Sequence, residues 1–377
     1  MELRVERDAL SEAVGWTARA LPARPPMQVL LGLLLSVDPD HGLTVSGFDY
    51  EVSSQVDVDV LSADAGRVLV PGRLLADIVR SLPAKPVDLR VTDNRVELTC
   101  GAARFTLPTM TAEDYPALPQ MPEVAGTIDG GVFAEAVAQV ALAAGRDDTL
   151  PVLTGVRVEI DSDRLTLAAT DRYRLAVRSL PWRPTDPDIE KTALIPARTL
   201  AETAKALAGG EVTLALSSGS GAAEGMVGFE GGGRRTTSRL LEGEFPKYRS
   251  LLPEQSTATA EVPTDAFVEA VKRVALVAER NTPVRLSFST DGVELQAGGN
   301  DQAQASEQLE GDWHGDEPMQ IAFNPGFLLD GLGAMDAATT VLSFTGPTRP
   351  AVLTAGGSPT GPDASYRYLL MPVRLSG

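Results

Sequence analysis

Three stretches of this chain follow one pattern at nearly constant spacing, and a chain built that way folds as three versions of one unit. The pattern is an apolar strand residue or two, a proline, then an amphipathic helix. It reads VPGRLLADIVRSL from Val70, IPARTLAETAKAL from Ile195 and FNPGFLLDGLGAM from Phe323. The prolines Pro71, Pro196 and Pro325 lie 125 and 129 residues apart. Proline costs little near a helix start, because its missing N–H would lack a partner in the first turn anyway.

Each unit opens with a second helix. DALSEAVGWTARAL from Asp8 puts Leu10, Val14, Thr17 and Leu21 on one stripe. GVFAEAVAQVALAAG from Gly131 does the same with Phe133, Val137, Val140 and Ala144, and TDAFVEAVKRVALVAER from Thr264 with Phe267, Val271, Val274 and Ala278. Steps of three and four give one buried and one exposed face. Thr264 or Asp265 is placed to cap the third of these helices.

Hairpins fill the space between helices. Leu286 and Phe288 alternate up to Asp291-Gly292, and Val293 and Leu295 alternate after it, a strong hairpin signal. Val156, Val158 and Ile160 turn through Asp161-Ser162-Asp163 to Leu165 and Leu167. Leu33, Leu35 and Val37 turn through DPDHG to Leu43 and Val45, and Val87, Leu89 and Val91 turn at Asp93-Asn94 to Val96 and Leu98. Each unit is thus expected to be α+β, with two helices and about eight strands in two small antiparallel sheets. The first two units close with similar tails, DYPALP from Asp114 and EFPKYRSLLP from Glu244. The expected domains are residues 1–122, 127–254 and 260–377.

Several function classes find no support. No run of about 18 apolar residues exists, so no membrane span is expected. The N-terminus MELRVERDAL is charged from its second residue and lacks the apolar core of a secretory signal. Cys100 is the single cysteine, which suits a reducing, cytoplasmic setting and reads as a small strand residue. His41 and His314 are the only histidines, too few and too far apart for a zinc site. Both read as solvated turn or loop residues, and no GxSxG elbow accompanies them. The glycine-rich stretch from Ser217 to Gly233 lacks the order of a phosphate-binding loop and reads as a hairpin. No catalytic set, metal or cofactor is therefore expected. The net charge of −18 argues against nucleic acid unless the positive charges are gathered in one place.

The triplication, ATDRYRLAV from Ala169, EFPKYRSLLP from Glu244 and YLLMPVRL from Tyr368 together resemble the beta subunit of bacterial DNA polymerase III, most closely that of high-GC Gram-positive bacteria. The similarity runs from Val5 to the MPVRL beginning at Met371. The resemblance implies a DNA clamp fold: three similar domains forming half of a head-to-tail ring, a homodimer with helices lining a central hole. It implies a non-enzymatic processivity factor that encircles duplex DNA without reading sequence. Its partners would be the polymerase alpha subunit, the clamp loader, and other polymerases and repair proteins that carry linear motifs. A specialised second clamp copy, with altered partner or inhibitor response, is the alternative.

The resemblance also implies three sets of site residues. A peptide pocket would be built from Leu153, Thr170, Arg172, Tyr173, Arg174, Leu175, Pro246, Ser250, Leu251, Pro350, Leu369, Leu370, Met371, Pro372, Val373 and Arg374. Arg174 and Arg374 are expected at its rim, and a chain cut before Leu369 is expected to keep its dimer. Many relatives carry Gly-His where Arg172-Tyr173 stands. DNA would be faced by Arg19, Arg24, Arg73, Arg80, Arg146, Arg198, Lys205, Lys272 and Arg273, on helical segments of an otherwise acidic chain. The sixth helix departs from this pattern, carrying Asp330 and Asp336 and no basic residue. In the dimer, Arg104, Phe105 and Leu107 would meet Leu276, Glu307 and Glu310.

Overall fold

The apolar alternation of the sequence becomes antiparallel strands, and in strands such as Val284–Ser289 the period of two buries every second side chain. The computed structural model describes residues 1–38, 40–217, 225–278, 282–298, 303–357 and 365–374. Among them are six α-helices, two per repeat: α1 (Arg7–Thr17), α2 (Gly72–Ser81), α3 (Gly130–Ala141), α4 (Ala197–Ala206), α5 (Thr264–Ala275) and α6 (Pro325–Gly333). The fold is α+β, three variations on one antiparallel unit.

Among the described residues the strands form four sheets. A five-stranded sheet belongs to the first repeat alone and a four-stranded sheet to the third alone. The two nine-stranded sheets each join two repeats. In one, the strand Val52–Val58 pairs with Arg234–Arg239, from Ser238↔Val52 to Arg234↔Val56. Buried Ser53 and Thr237 hydroxyls meet at 2.6 Å across this seam. In the other, Arg174–Pro181 pairs with Tyr366–Leu370, from Arg174↔Leu370 to Arg178↔Tyr366.

These seams explain why the chain's two compact units do not follow its three repeats. The first unit holds residues 1–133, 183–186 and 202–240, and the second holds 134–182, 187–201 and 241–377. The middle repeat gives five strands to the first unit's sheet and four to the second's. The first unit's core runs from Leu3, Leu10 and Val14 through Leu33 and Leu75 to Leu98 and Cys100, all buried.

Local chemistry departs from the sequence expectations in several places, and helix α3 stops at Ala141, short of Ala144. Helix α1 stops at Thr17, whose buried hydroxyl turns back onto the Ala13 carbonyl (2.8 Å), and Leu21 is buried after a short 3-10 turn, Ala18–Ala20. Thr264 is the first residue of α5 rather than its cap, because its hydroxyl is held by Thr340 (2.9 Å); Asp265 makes no cap bond either. Helix α5 ends at Ala275, so Ala278 lies beyond it, and residues 279–281 fall outside the described residues. Pro71 and Pro196 end strands, whereas Pro325 is the first residue of α6, where the Asn324 side chain accepts from the Phe327 N–H at 3.2 Å.

The two histidines also separate. His41 stays in its turn, bonded to Asp38, beyond Pro39, which is outside the described residues. His314 lies on a short strand, Asp312–His314, paired with Thr259, because its neighbour Trp313 stacks on Phe288 at 5.5 Å. Of the glycine-rich stretch, residues 218–224 fall outside the described residues.

Candidate functional site

One face of the second unit's nine-stranded sheet is an apolar floor. Register places Ala168 opposite Val177, Thr170 opposite Leu175, Leu175 opposite Leu369 and Leu369 opposite Val352. Ala168, Leu175, Val177, Val352 and Leu369 join Leu194, Phe245, Tyr248 and Leu252 in one buried cluster, with Val152 and Leu241 partly open against it. Residues next to this floor in the chain remain uncovered: Tyr173 is 58% exposed, Leu251 51%, Met371 41% and Val373 37%. Leu153, Pro246, Pro350 and Pro372 are half-buried, while Ser250 and Arg374 are exposed. The Met371 N–H donates to the Tyr173 carbonyl at 2.9 Å, tying the C-terminal segment to the 171–173 turn.

That turn is built by Asp171, whose carboxylate accepts the Tyr173 and Arg174 N–H groups at 3.0 and 3.1 Å. Arg172 sits between them at φ 78°, a left-handed conformation that favours glycine. The Thr170 hydroxyl donates to the Arg174 carbonyl at 2.7 Å. Arg174 is 5% exposed and bonds both Asp171 (3.0 Å) and Asp330, with its guanidinium 4.5 Å from the Phe327 ring centre. Tyr173 stacks on the same ring at 6.2 Å. The rim position expected for Arg174 is therefore wrong: its charge is spent inside the protein, on two carboxylates and an aromatic face. Leu369 and Leu370 are likewise buried, at 3% and 0%, in a strand paired on both sides. A cut before Leu369 would remove core, not only a surface tail.

Arg146 lies beyond α3, not on a helix face. With Leu150, Leu153, Arg172, Tyr173 and Phe327 it lines a hollow of about 380 Å³. Sequence reasoning missed Phe327, Val152 and Leu241 here. Phe327 reads as an ordinary apolar residue of α6, and only its ring contacts show otherwise.

In the first unit, Arg19, Arg73, Arg80 and Lys205 line one open hollow of about 610 Å³. Arg234 joins them, bonded to the Ala206 carbonyl (2.6 Å), paired with Glu12, and 5.8 Å from the Trp16 ring centre. Five cationic side chains thus face two acidic ones, Glu12 and Asp77, the latter 3.3 Å from Arg80. Arg234 escaped the sequence reading because it sits on a strand, where no helical periodicity marks it. The other basic residues stand elsewhere. Arg24 and Arg198 are exposed, Lys272 pairs with Glu269 (2.8 Å) and Arg273 with Glu307 (2.5 Å). Hydrogen bonding from Arg273 holds the Glu307 carboxyl below its ordinary range.

Two of the strands that end sheets carry residues expected at the dimer contact. Ala103–Pro108 closes the five-stranded sheet and Ala305–Leu309 the four-stranded one. Arg104 is exposed and Phe105 partly so, but Leu107 is fully buried, because alternation turns it into the first unit's core. Leu107 is thus unavailable to a partner. Leu276, just after α5, is 85% exposed; Glu307 is half-buried and Glu310 exposed.

Among the described residues no His, Cys, Asp or Glu group is arranged to hold a metal, and no helix is long and apolar enough to cross a membrane. Comparison with known proteins finds likeness along the whole chain. Models of the N-terminal, central and C-terminal domains of the DNA polymerase III beta subunit match residues 1–119, 127–247 and 249–374. The chain is 58% identical to the beta sliding clamp of Streptomyces coelicolor and 44% identical to the beta sliding clamp homolog GriR of Streptomyces muensis, covering all of each. The crystal structure of a Pseudomonas aeruginosa DnaN sliding clamp bound to griselimycin superposes with a TM-score of 0.91 at 27% identity, covering all of both chains. The chain belongs to the family of bacterial DNA polymerase III beta subunits, the beta sliding clamps, which serve the polymerase as non-catalytic processivity subunits, and within it to the high-GC Gram-positive type.

Proposed function

We propose that this chain pairs head to tail with a second copy, closes around duplex DNA in the cytoplasm, and tethers replication and repair proteins by short linear peptides. The observation that carries the tethering is the apolar floor, flanked in sequence by the uncovered Tyr173, Leu251, Met371 and Val373. A short peptide needs a few buried anchors, and a dry floor with open aliphatic sides supplies them. Leu153, Thr170, Leu175, Pro246, Pro350, Leu369 and Met371 would form the pocket, with Arg172, Ser250 and Arg374 around it. Peptides with a glutamine, an aliphatic residue and a terminal Leu-Phe pair are the expected ligands. The polymerase alpha subunit and the clamp loader are the expected carriers.

Pairing is supported by two of the sheet-ending strands, Ala103–Pro108 in the first repeat and Ala305–Leu309 in the third. An open edge invites further strands, and a head-to-tail contact that closes removes both edges. Arg104 and Phe105 would meet Leu276 and Glu310 there, on domains bounded at residues 1–122, 127–254 and 260–377. DNA would lie against the cationic hollow of Arg19, Arg73, Arg80, Lys205 and Arg234. Phosphate contact alone carries no sequence information, which suits a sliding protein. The higher identity to the Streptomyces coelicolor clamp (58%) than to GriR (44%) favours the housekeeping role over a specialised copy.

Retention on DNA tests this reading. Loaded on a nicked circle, the protein is expected to stay bound through a wash at high salt and to leave when the circle is cut. Short linear duplex should bind weakly and lose about 10- to 1000-fold in affinity on a modest salt increase. Equal retention on circular and linear DNA would overturn the ring.

A further inference from the structure

The 3-10 turn Tyr248–Leu251 carries the most exposed aliphatic side chain beside the floor, yet its helical backbone bonds are long. The Ser250 and Leu252 N–H groups reach the Lys247 and Arg249 carbonyls at 3.3 Å; the Tyr248 N–H meets the Pro246 carbonyl at 2.7 Å and the Ser250 hydroxyl the Lys247 carbonyl at 2.8 Å, and no side chain caps the N-terminus of the turn. Short 3-10 turns have poor hydrogen-bond geometry and need outside support. The support converges on one carboxylate. Glu159, on the neighbouring strand Gly155–Asp161, accepts from the Tyr248 hydroxyl at 2.9 Å and pairs with Arg249 at 2.6 Å. Arg157, two residues away on the same strand face, pairs with its other oxygen at 2.6 Å. Arg249 also lies over the Tyr248 ring, 5.2 Å from its centre.

The side chain of Glu159 is only 12% exposed, so its partners are not interchangeable with water. Burial opposes its ionisation, but the hydrogen bonds from Arg157, Tyr248 and Arg249 outweigh that and hold the carboxyl below its ordinary value of 4.5. Charge-assisted bonds of this kind are about twice as strong as neutral ones. Tyr248 and Leu252 then face inward into the floor cluster, and Leu251 between them and the solvent has nowhere to turn but outward.

We propose that Glu159 is a positioning residue for peptide docking: through Tyr248 and Arg249 it clasps the 248–251 turn and fixes Leu251 in the orientation a bound peptide meets. The inference rests on the pocket reading above. It assigns to a carboxylate outside the pocket control over one wall of it. A peptide side chain packed on Leu251 gains affinity because that wall is preorganised, not because Glu159 touches the peptide.

The test is a titration of the full-length protein with a synthetic peptide ending in Leu-Phe, followed by calorimetry or fluorescence anisotropy. Glu159→Gln is expected to weaken binding about 10-fold, the size of coupling usual within one bonded network. Arg249→Met, at a largely exposed side chain that leaves Glu159 its other two partners, should fold normally and weaken binding by a smaller factor. In a Leu251→Ala background, Glu159→Gln should change affinity by less than about twofold, since the wall it positions is gone. An undiminished loss in that background would mean that Glu159 acts through general stability, and would overturn the proposal. Wild-type affinity in both Glu159→Gln and Arg249→Met would do the same while leaving the pocket standing. If Leu251→Ala alone binds like wild type, the pocket reading itself fails, and this inference falls with it.

Discussion

The same turn occurs twice in this chain with different surroundings. At residues 49–51 the Asp49 carboxylate accepts the Glu51 and Val52 N–H groups at 2.9 and 2.6 Å, and Tyr50 sits at φ 77°. At residues 171–173 Asp171 accepts the Tyr173 and Arg174 N–H groups, and Arg172 sits at φ 78°. Just before the first turn, Phe48 lays an aromatic ring, 5% exposed, among Leu34, Leu69 and Tyr115. Just before the second, Thr170 offers only a methyl and a hydroxyl, and the hydroxyl is spent on the Arg174 carbonyl. After the first turn comes Val52; after the second comes Arg174, bound to two carboxylates. The repeat has copied a backbone. Side-chain volume and charge at two flanking positions decide whether the copy becomes packed wall or docking surface.

That contrast can be broken at several points. Phe48→Ala should cost the first unit about 4 kcal/mol, because a large buried ring leaves a cavity. Thr170→Ala should cost the second unit nearer to about 1 kcal/mol, the scale of one hydrogen bond. Chemical denaturation of the two variants compares them, and equal losses would show that the flanking residues play equal parts. Arg174→Met strands Asp171 and Asp330 and should cost about 3 kcal/mol of stability. An unchanged denaturation midpoint, with only peptide affinity lost, would return Arg174 to the role of a ligand.

Met371→Glu places a charge at the edge of the apolar floor and should weaken peptide binding by about 2 kcal/mol, roughly 30-fold, with the fold intact. Met27→Glu, beside the first turn where the Tyr50 hydroxyl contacts the Met27 sulfur, should leave that affinity alone. A loss at Met27 as large as at Met371 would mean that peptides use both copies. Smallest of all, Arg172→Gly should raise stability by about 1 kcal/mol through relief of its left-handed backbone. Tyr50→Gly relieves the same strain but gives up the contacts of its ring with Phe48 and Met27, so its net gain should be less. Thermal unfolding of the pair reads the difference.

Much of the fold was legible because local patterns carried it. The prolines, the helical stripes and the Asp-Gly hairpin at 291–292 act over a few residues, and the helices and strands follow them. The seams were not legible: nothing near Val52 or Ser238 names the other as its partner, and only the folded sheet brings them to register. The same limit applied to sites. ATDRYRLAV marked its own turn, but the fate of Arg174 depended on Asp330 and Phe327, more than 150 residues away in the chain. Leu107 was misread for a different reason. Its alternation with Thr106 was visible in the sequence, but resemblance alone had assigned it to a surface.

The two seams also govern the order in which the protein can be made. Ser53 meets Thr237 across 184 residues of chain, and Arg178 meets Ser365 across 187. At usual ribosomal speeds of about 5–20 residues per second, an early strand waits roughly 10–40 seconds for its partner to be synthesised. Through that interval Val52–Val58, and later Arg174–Pro181, present unsatisfied edges to their surroundings. The second seam closes on Tyr366–Leu370, so it forms only after those residues are made, later than the first. The nascent chain thus passes through a succession of sticky intermediates, and a ribosome stalled between Arg239 and Tyr366 leaves one of them exposed, with the first sheet able to close and the second still open.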